Sequence, residues 1–113
     1  MAVNIYDTAN QLEQELRNTE KFTTLEAAFG AVKEDEEASR VFNEFRQVQQ
    51  TIQQKQMMGQ EISEEEAAQA QEVSTKISQN EIITKLLEAE KQVGQMIDDI
   101  NQVVLKPVRE LYQ

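Results

Sequence analysis

The chain has 113 residues, of which 39% are hydrophobic and 28% are charged, a composition that suits one domain with an aliphatic core. It contains no cysteine and no histidine, which excludes disulfides, cysteine-bound zinc or iron–sulfur clusters, thiol catalysis and histidine as a general base. Its 21 acidic and 11 basic residues give a net charge of −10, which argues against DNA, RNA and anionic membranes as partners.

Turn-forming residues are scarce, with three glycines and one proline, so an all-β fold is excluded and an all-α fold is expected. The first residues, 1–5, lack the basic stretch and apolar run of a signal peptide. No apolar stretch approaches the roughly 18 residues of a membrane-spanning helix. We therefore expect a single helical domain over residues 1–113, in the cytoplasm and without a membrane partner.

Two short helices are predicted in the first third of the chain. The apolar positions of the first are Ile5, Ala9, Leu12 and Leu16. Those of the second are Phe22, Leu25, Phe29 and Val32. Spacings of three and four residues place each set on one helix face. Asn4 or Asp7 is expected to cap the first helix, and the second is expected to span about residues 19–33.

A long third helix is predicted over about residues 36–58, and a fourth helix follows it. Asp35 is the expected N-cap of the third helix, and Gly59 is the expected residue just after its end. The apolar stripe between them is Ala38, Val41, Phe42, Phe45, Val48 and Ile52. Ser63 and Glu66 match a capping box, which predicts the start of the fourth helix.

The strongest apolar pattern lies in the last third and predicts a second long helix over about residues 80–105. Its steps of four and three residues form an a/d series: Ile82, Leu86, Ala89, Val93, Met96, Ile100 and Val103. Residues 78–81 offer a second capping box at its start. Pro107 cannot donate a hydrogen bond to the Val103 carbonyl, so the helix is expected either to kink or to end there. Val108, Leu111 and Tyr112 resume an apolar face beyond it.

This apolar face over residues 82–104, which we call the seam, is too broad for one neighbouring helix in so small a chain. It predicts a helical bundle completed by homo-oligomerisation, with a dimer as the first expectation. The residues predicted to form this interface or the core are Phe42, Phe45, Leu86, Val93, Met96 and Ile100. The sequence does not divide interface from core. Met57 and Met58, at the end of the third helix, either plug the end of the bundle or contact a protein partner.

No catalytic residue, cofactor site or metal site is predicted. The three glycines are isolated, so no phosphate-binding loop is present. Asp98 and Asp99 are adjacent on a helix, so their side chains point about 100° apart around the helix axis and cannot bind one ion together. Two alternatives to an interaction protein stay open. One is an RNA-associated factor that uses Arg40, Arg46 and Lys55 of the third helix, and the other is an enzyme built on carboxylates alone.

Three segments resemble the YlbF/YmcA-like family of Firmicutes, and in order and length its YheA branch. These are residues 4–12, which begin Asn-Ile-Tyr-Asp, the pair Phe42 and Phe45, and residues 104–111. The resemblance implies an all-helical fold that associates through its long helices and a regulatory, non-catalytic role. Better-known members are linked to competence, biofilm and sporulation control and to a complex that influences the RNA-degrading machinery. Some carry cysteines associated with an iron–sulfur cluster, and this chain has none, so that cofactor is not implied here.

Overall fold

The computed structural model describes residues 4–113, in which five helices follow one another and no strand occurs. They are α1 (Ile5–Arg17), α2 (Glu20–Glu34), α3 (Glu36–Met57), α4 (Glu64–Gln79) and α5 (Glu81–Leu111). The predicted all-α class and its two long helices are confirmed. Residues 1–3, on which the expectation about a signal peptide partly depends, lie outside the described part. Within that part, no helix is both long and apolar enough to cross a membrane.

Side-chain caps start α1 and α3 where the sequence predicts them. Of the two candidates for α1, Asn4 is the cap, because its side-chain oxygen accepts hydrogen bonds from the amides of Tyr6 at 3.1 Å and Asp7 at 3.3 Å. The Asp35 carboxylate accepts a hydrogen bond from the Ala38 amide at 2.8 Å. Each cap satisfies amides that have no carbonyl partner within the helix.

The connection between α3 and α4 also follows its predicted turn chemistry. Gly59 has φ of +70°, the left-handed conformation that favours glycine after a helix. The Gln60 amide donates to the Lys55 carbonyl at 2.8 Å and so closes the end of α3. The capping box of α4 is confirmed, since the Ser63 hydroxyl accepts from the Glu66 amide at 3.1 Å and the Glu66 carboxylate accepts from the Ser63 amide at 3.0 Å.

The second predicted capping box, at residues 78–81, is wrong. Ser78 lies inside α4, and its hydroxyl donates to the Thr75 carbonyl at 2.8 Å. Asn80 caps α5 instead, because its side-chain oxygen accepts from the amides of Ile82 at 3.0 Å and Ile83 at 3.1 Å. Both residue types can cap a helix, and the position at which α4 ends decides which one does.

Helix α5 continues through Pro107 to Leu111, so it extends beyond the predicted end near residue 105, and the alternative of a helix end at Pro107 is wrong. The proline removes the amide that the Val103 carbonyl would otherwise accept from. Two residues after the proline, Arg109 donates from its guanidinium to the carbonyl of Gln102, the residue before Val103, at 2.6 Å. A side-chain donor therefore supplies a hydrogen bond to the backbone at the interrupted turn.

The described residues divide into two compact units. The first contains α1, the start of α2 up to Ala27, and α5 from Leu87 onwards. The second spans Ala28–Leu86 and contains the rest of α2, all of α3 and α4, and the beginning of α5. Both boundaries lie inside helices.

In the second unit, α3 packs against α4. Two ion pairs join these helices, Lys55 with Glu66 and Lys76 with Glu44, the latter at 3.4 Å. Because residue numbers rise along one helix as they fall along the other, α3 and α4 run antiparallel. The buried residues of this unit are Val32, Ala38, Val41, Val73, Ile77, Ile83 and Leu86.

In the first unit, α5 is flanked by α1 and by the beginning of α2. Residues 9–16 of α1 line a cleft together with Ile97 and Ile100. Residues 20–24 of α2 line another cleft with Ala89 and Gln92. As the residue number increases from 9 in α1 to 24 in α2, the α5 residues lining the same clefts decrease from 100 to 89. Helix α1 and the start of α2 therefore run antiparallel to α5.

Candidate functional site

The seam on α5 is buried at its beginning and exposed at its end. Leu86 is fully buried and Val93 is 6% exposed, so both lie in the interior of the chain. Five later seam residues keep exposed surface: Met96, Ile97, Ile100, Val103 and Val104. Of the α5 residues predicted to form the interface or the core, the structure thus places Leu86 and Val93 in the core and leaves part of Met96 and Ile100 accessible to solvent. An interface role for Met96 and Ile100 stays a prediction.

The exposed apolar face does not stop with the seam. Val108 and Leu111, further along α5, and Tyr112, just after its end, are all exposed, and Leu111 keeps 81% of its surface. Five aliphatic residues of α5 form one narrow face, because at 3.6 residues per turn they lie within an arc of about 80° around the helix axis. We call this face the α5 stripe, and its residues are Ile97, Ile100, Val104, Val108 and Leu111. A continuous apolar patch on a protein surface commonly marks a contact site.

An apolar cleft opens at the beginning of the stripe. It has a volume of about 310 Å³, and Glu13 is its only charged lining residue. The other residues that line it are Ala9, Leu12, Leu16, Ile97 and Ile100. We call it the α1–α5 cleft. Its lining can accept an aliphatic side chain, and it offers few polar atoms to orient a polar ligand.

Phe42 and Phe45 belong to an aromatic cluster in the second unit. The Phe42 ring lies edge-on to the Phe29 ring, with centroids 6.5 Å apart, and the Phe45 centroid is also 6.5 Å from that of Phe42. The Lys33 ammonium lies 4.8 Å from the Phe29 centroid, a cation–π contact. Sequence reasoning assigned Phe29 only to a helix face and missed this cluster. The part of Phe42 and Phe45 in self-association stays a prediction.

Met57 and Met58 do not plug the end of a bundle. They are 83% and 65% exposed at the end of α3, and Ile62 in the following loop is also exposed. The alternative, a contact surface for a protein partner, stays a prediction. Thioether side chains are flexible and polarisable, which suits them to contacts of varied shape.

The most perturbed carboxyl group is Glu66. The Lys55 ammonium and then the Ser63 amide stabilise its carboxylate and lower the pKa of Glu66 to about 2. One oxygen of Glu66 therefore joins the end of α3 to the start of α4. A carboxyl with so low a pKa stays ionised at neutral pH, and this suits a structural link better than a proton donor.

Two of the three cations proposed for RNA contact have acidic neighbours. Lys55 is paired with Glu66, and Arg40 lines a shallow pocket together with Glu36 and Glu37. These acids compete with phosphate for the same cations, so the RNA alternative gains no support. Among residues 4–113, no group of three or more acidic side chains is placed to hold a metal ion.

The family model described as control of competence regulator ComK, YlbF/YmcA, matches residues 5–109. The chain belongs to the YlbF/YmcA family. A relative in this family, a UPF0342 protein of Staphylococcus haemolyticus, is 47% identical over 112 residues, which cover 99% of this chain and 98% of the relative. The predicted resemblance is confirmed over nearly the whole chain.

Solved structures agree with this membership of the YlbF/YmcA family. The structure of yheA from Bacillus subtilis has a TM-score of 0.76 and 36% identity, covering 97% of this chain and all of that one. The crystal structure of Bacillus subtilis RicA in complex with RicF has a TM-score of 0.71 and covers 100% of both chains. At 19% identity, the second likeness shows the fold alone.

Proposed function

We propose that this chain is a non-catalytic regulatory protein that acts by binding helical protein surfaces, first of all a second copy of itself. The α5 stripe carries this proposal. It continues a helix face whose earlier residues are buried, yet Val104 on it is 62% exposed. Removing such side chains from water favours association by about 25 cal/mol per Å² of apolar surface.

The family supports a regulatory role that depends on protein partners. Its model is described as control of the competence regulator ComK. RicA, which shares the fold, was crystallised in complex with RicF. We extend partner binding to this chain and assign it to regulation of the competence type. Met57 and Met58 form the contact that we propose for a partner other than a second copy, since both are exposed at the end of α3 in the second unit.

Light scattering over a dilution series tests the self-association. The chain has a mass of 13.0 kDa, so a dimer has twice that mass. We expect a dimer that is weakened by Val104→Glu, because the variant places a charge in an apolar interface. Gln102→Glu adds the same charge on the opposite side of α5 and is expected to leave the mass unchanged. A wild-type mass of 13.0 kDa at every concentration would refute the proposed self-association.

A further inference from the structure

We infer that two copies pair through antiparallel α5 stripes around a two-fold axis at Val104, and that Leu111 of each copy enters the α1–α5 cleft of the other. This geometry rests on the proposed self-association and specifies the surface that performs it. Both contacting parts, stripe and cleft, belong to the first compact unit.

The spacing of the stripe is symmetric about Val104. Ile97 and Ile100 precede it by seven and four residues, and Val108 and Leu111 follow it by four and seven. In an antiparallel pair centred on Val104, this residue meets its own counterpart. Ile100 then faces Val108 of the second copy, and Ile97 faces its Leu111. Every layer of the contact is therefore apolar, which is the self-complementarity that a two-fold interface requires.

Coverage of the stripe selects the antiparallel direction. Ile97 is 40% exposed and is flanked by α1 in the α1–α5 cleft, whereas Leu111 at the other end is 81% exposed. In a parallel pair, the two α1 helices would meet at the same level and hold the stripes apart. In an antiparallel pair, the exposed Leu111 end of each stripe lies opposite the Ile97 end of the other stripe, which α1 flanks. The helix macrodipoles also favour antiparallel neighbours.

The register places a fitting side chain opposite the cleft. Leu111 of one copy faces Ile97 of the other, and Ile97 lines the α1–α5 cleft together with Leu12 and Leu16 of α1. A volume of about 310 Å³ has room for an aliphatic side chain and part of its helix turn. Leu111 loses its exposure there, and the cleft loses its contact with water.

Local charge favours the same contact, although two chains of net charge −10 repel each other overall. Residues 101–113 carry two bases and one acid: Lys106, Arg109 and Glu110. Helix α1 carries three acids and one base: Asp7, Glu13, Glu15 and Arg17. The pairing therefore brings a basic segment of one copy against an acidic helix of the other.

A second copy suits this surface better than an unrelated protein does. Each copy presents both a cleft and the leucine that enters one, so the symmetric pair makes this contact twice. The stripe from Ile97 to Leu111 is about 21 Å long. Stable interfaces commonly bury roughly 800 Å² per partner, so an occupant has to use the whole of this surface. A partner that used only the cleft, or only the Leu111 end of the stripe, would leave the rest of the stripe in water.

Single-cysteine variants test this geometry, because the natural chain has no cysteine. With helix axes about 8–10 Å apart, two Cα atoms that face each other at the two-fold axis lie about 3.5–5.5 Å apart, which overlaps the range for a disulfide. We expect Val104→Cys to form a disulfide-linked dimer under mild oxidation. Gln102→Cys, on the opposite side of α5, is the matched control and is expected to stay monomeric on a non-reducing gel. Circular dichroism checks that both variants keep their helices.

A mixed experiment fixes the direction and uses different positions. Ile97→Cys and Leu111→Cys are expected to cross-link when mixed, whereas each alone would have its cysteines about 21 Å apart in the pair. Self-linked Leu111→Cys formed as fast as the mixed product would overturn the antiparallel direction. Val104→Cys that links no faster than Gln102→Cys, in a protein that light scattering finds dimeric, overturns the geometry but leaves self-association standing. A monomeric mass overturns both.

Discussion

Replacing Leu86 with alanine tests the division of the seam into covered and exposed parts. Leu86 is fully buried, although sequence places it on the same broad apolar face as Val104. The substitution removes three carbons from a packed site, and such Leu→Ala changes cost about 2–5 kcal/mol in the free energy of unfolding. We expect about 3 kcal/mol, which lowers Tm by about 10–15 °C in a domain of this size.

Leu105→Ala is the matched control, because Leu105 is 52% exposed and lies outside the α5 stripe. It deletes the same atoms and is expected to cost less than about 1 kcal/mol. Urea unfolding followed by circular dichroism at one protein concentration measures both variants. Equal losses for Leu86→Ala and Leu105→Ala would show that Leu86 is not the core residue that its burial indicates.

Four further substitutions act on local features of the helices and their ends. Because the pKa of Glu66 is lowered from 4.5 to about 2, the stability it contributes is complete above about pH 4.5 and is lost as the pH falls to about 2. Glu66→Gln should therefore lower the urea midpoint at pH 7, and the difference from wild type should disappear near pH 2. Asp35→Ala removes the cap of α3 and should cost about 1 kcal/mol by the same unfolding measurement. At Gly59, where φ is +70° and an added Cβ meets nothing within 4 Å, alanine should cost about 1 kcal/mol for backbone strain alone. Gly30→Ala, inside α2 and equally free of contacts, should instead stabilise by about 0.5–1 kcal/mol, and a loss at Gly30 would contradict this explanation.

Helix positions were predictable because their signals are local. Asp35 at the start of α3, Gly59 after its end, and the reciprocal pair Ser63 and Glu66 each act within a few residues of chain. Where two local signals competed, the sequence could not choose between them. Ser78 and Asn80 can both cap a helix, and α4 continues past Ser78, so that only Asn80 does.

The candidate site was predictable only in part. Val108, Leu111 and Tyr112 were recognised as an apolar face beyond Pro107, but the sequence did not show that α5 continues through Pro107 and carries one stripe across it. Nor could it reveal the α1–α5 cleft, which requires residues about 80–90 positions apart to meet. A pattern with a period of 3.6 residues describes one helix and says nothing about its neighbours.

The sequence by itself determined the all-α class, the position and caps of most helices, the absence of cysteine and histidine chemistry, and the family. Each follows from composition or from interactions a few residues apart. Only the tertiary structure decided that Leu86 and Val93 are covered while Val104 and Leu111 are exposed. The physical reason is the extent of the neighbouring helices. In the first unit, α1 and the start of α2 line clefts against α5 only between Ala89 and Ile100, whereas α5 continues to Leu111, about 16 Å beyond Ile100. That last part of the apolar face is exposed.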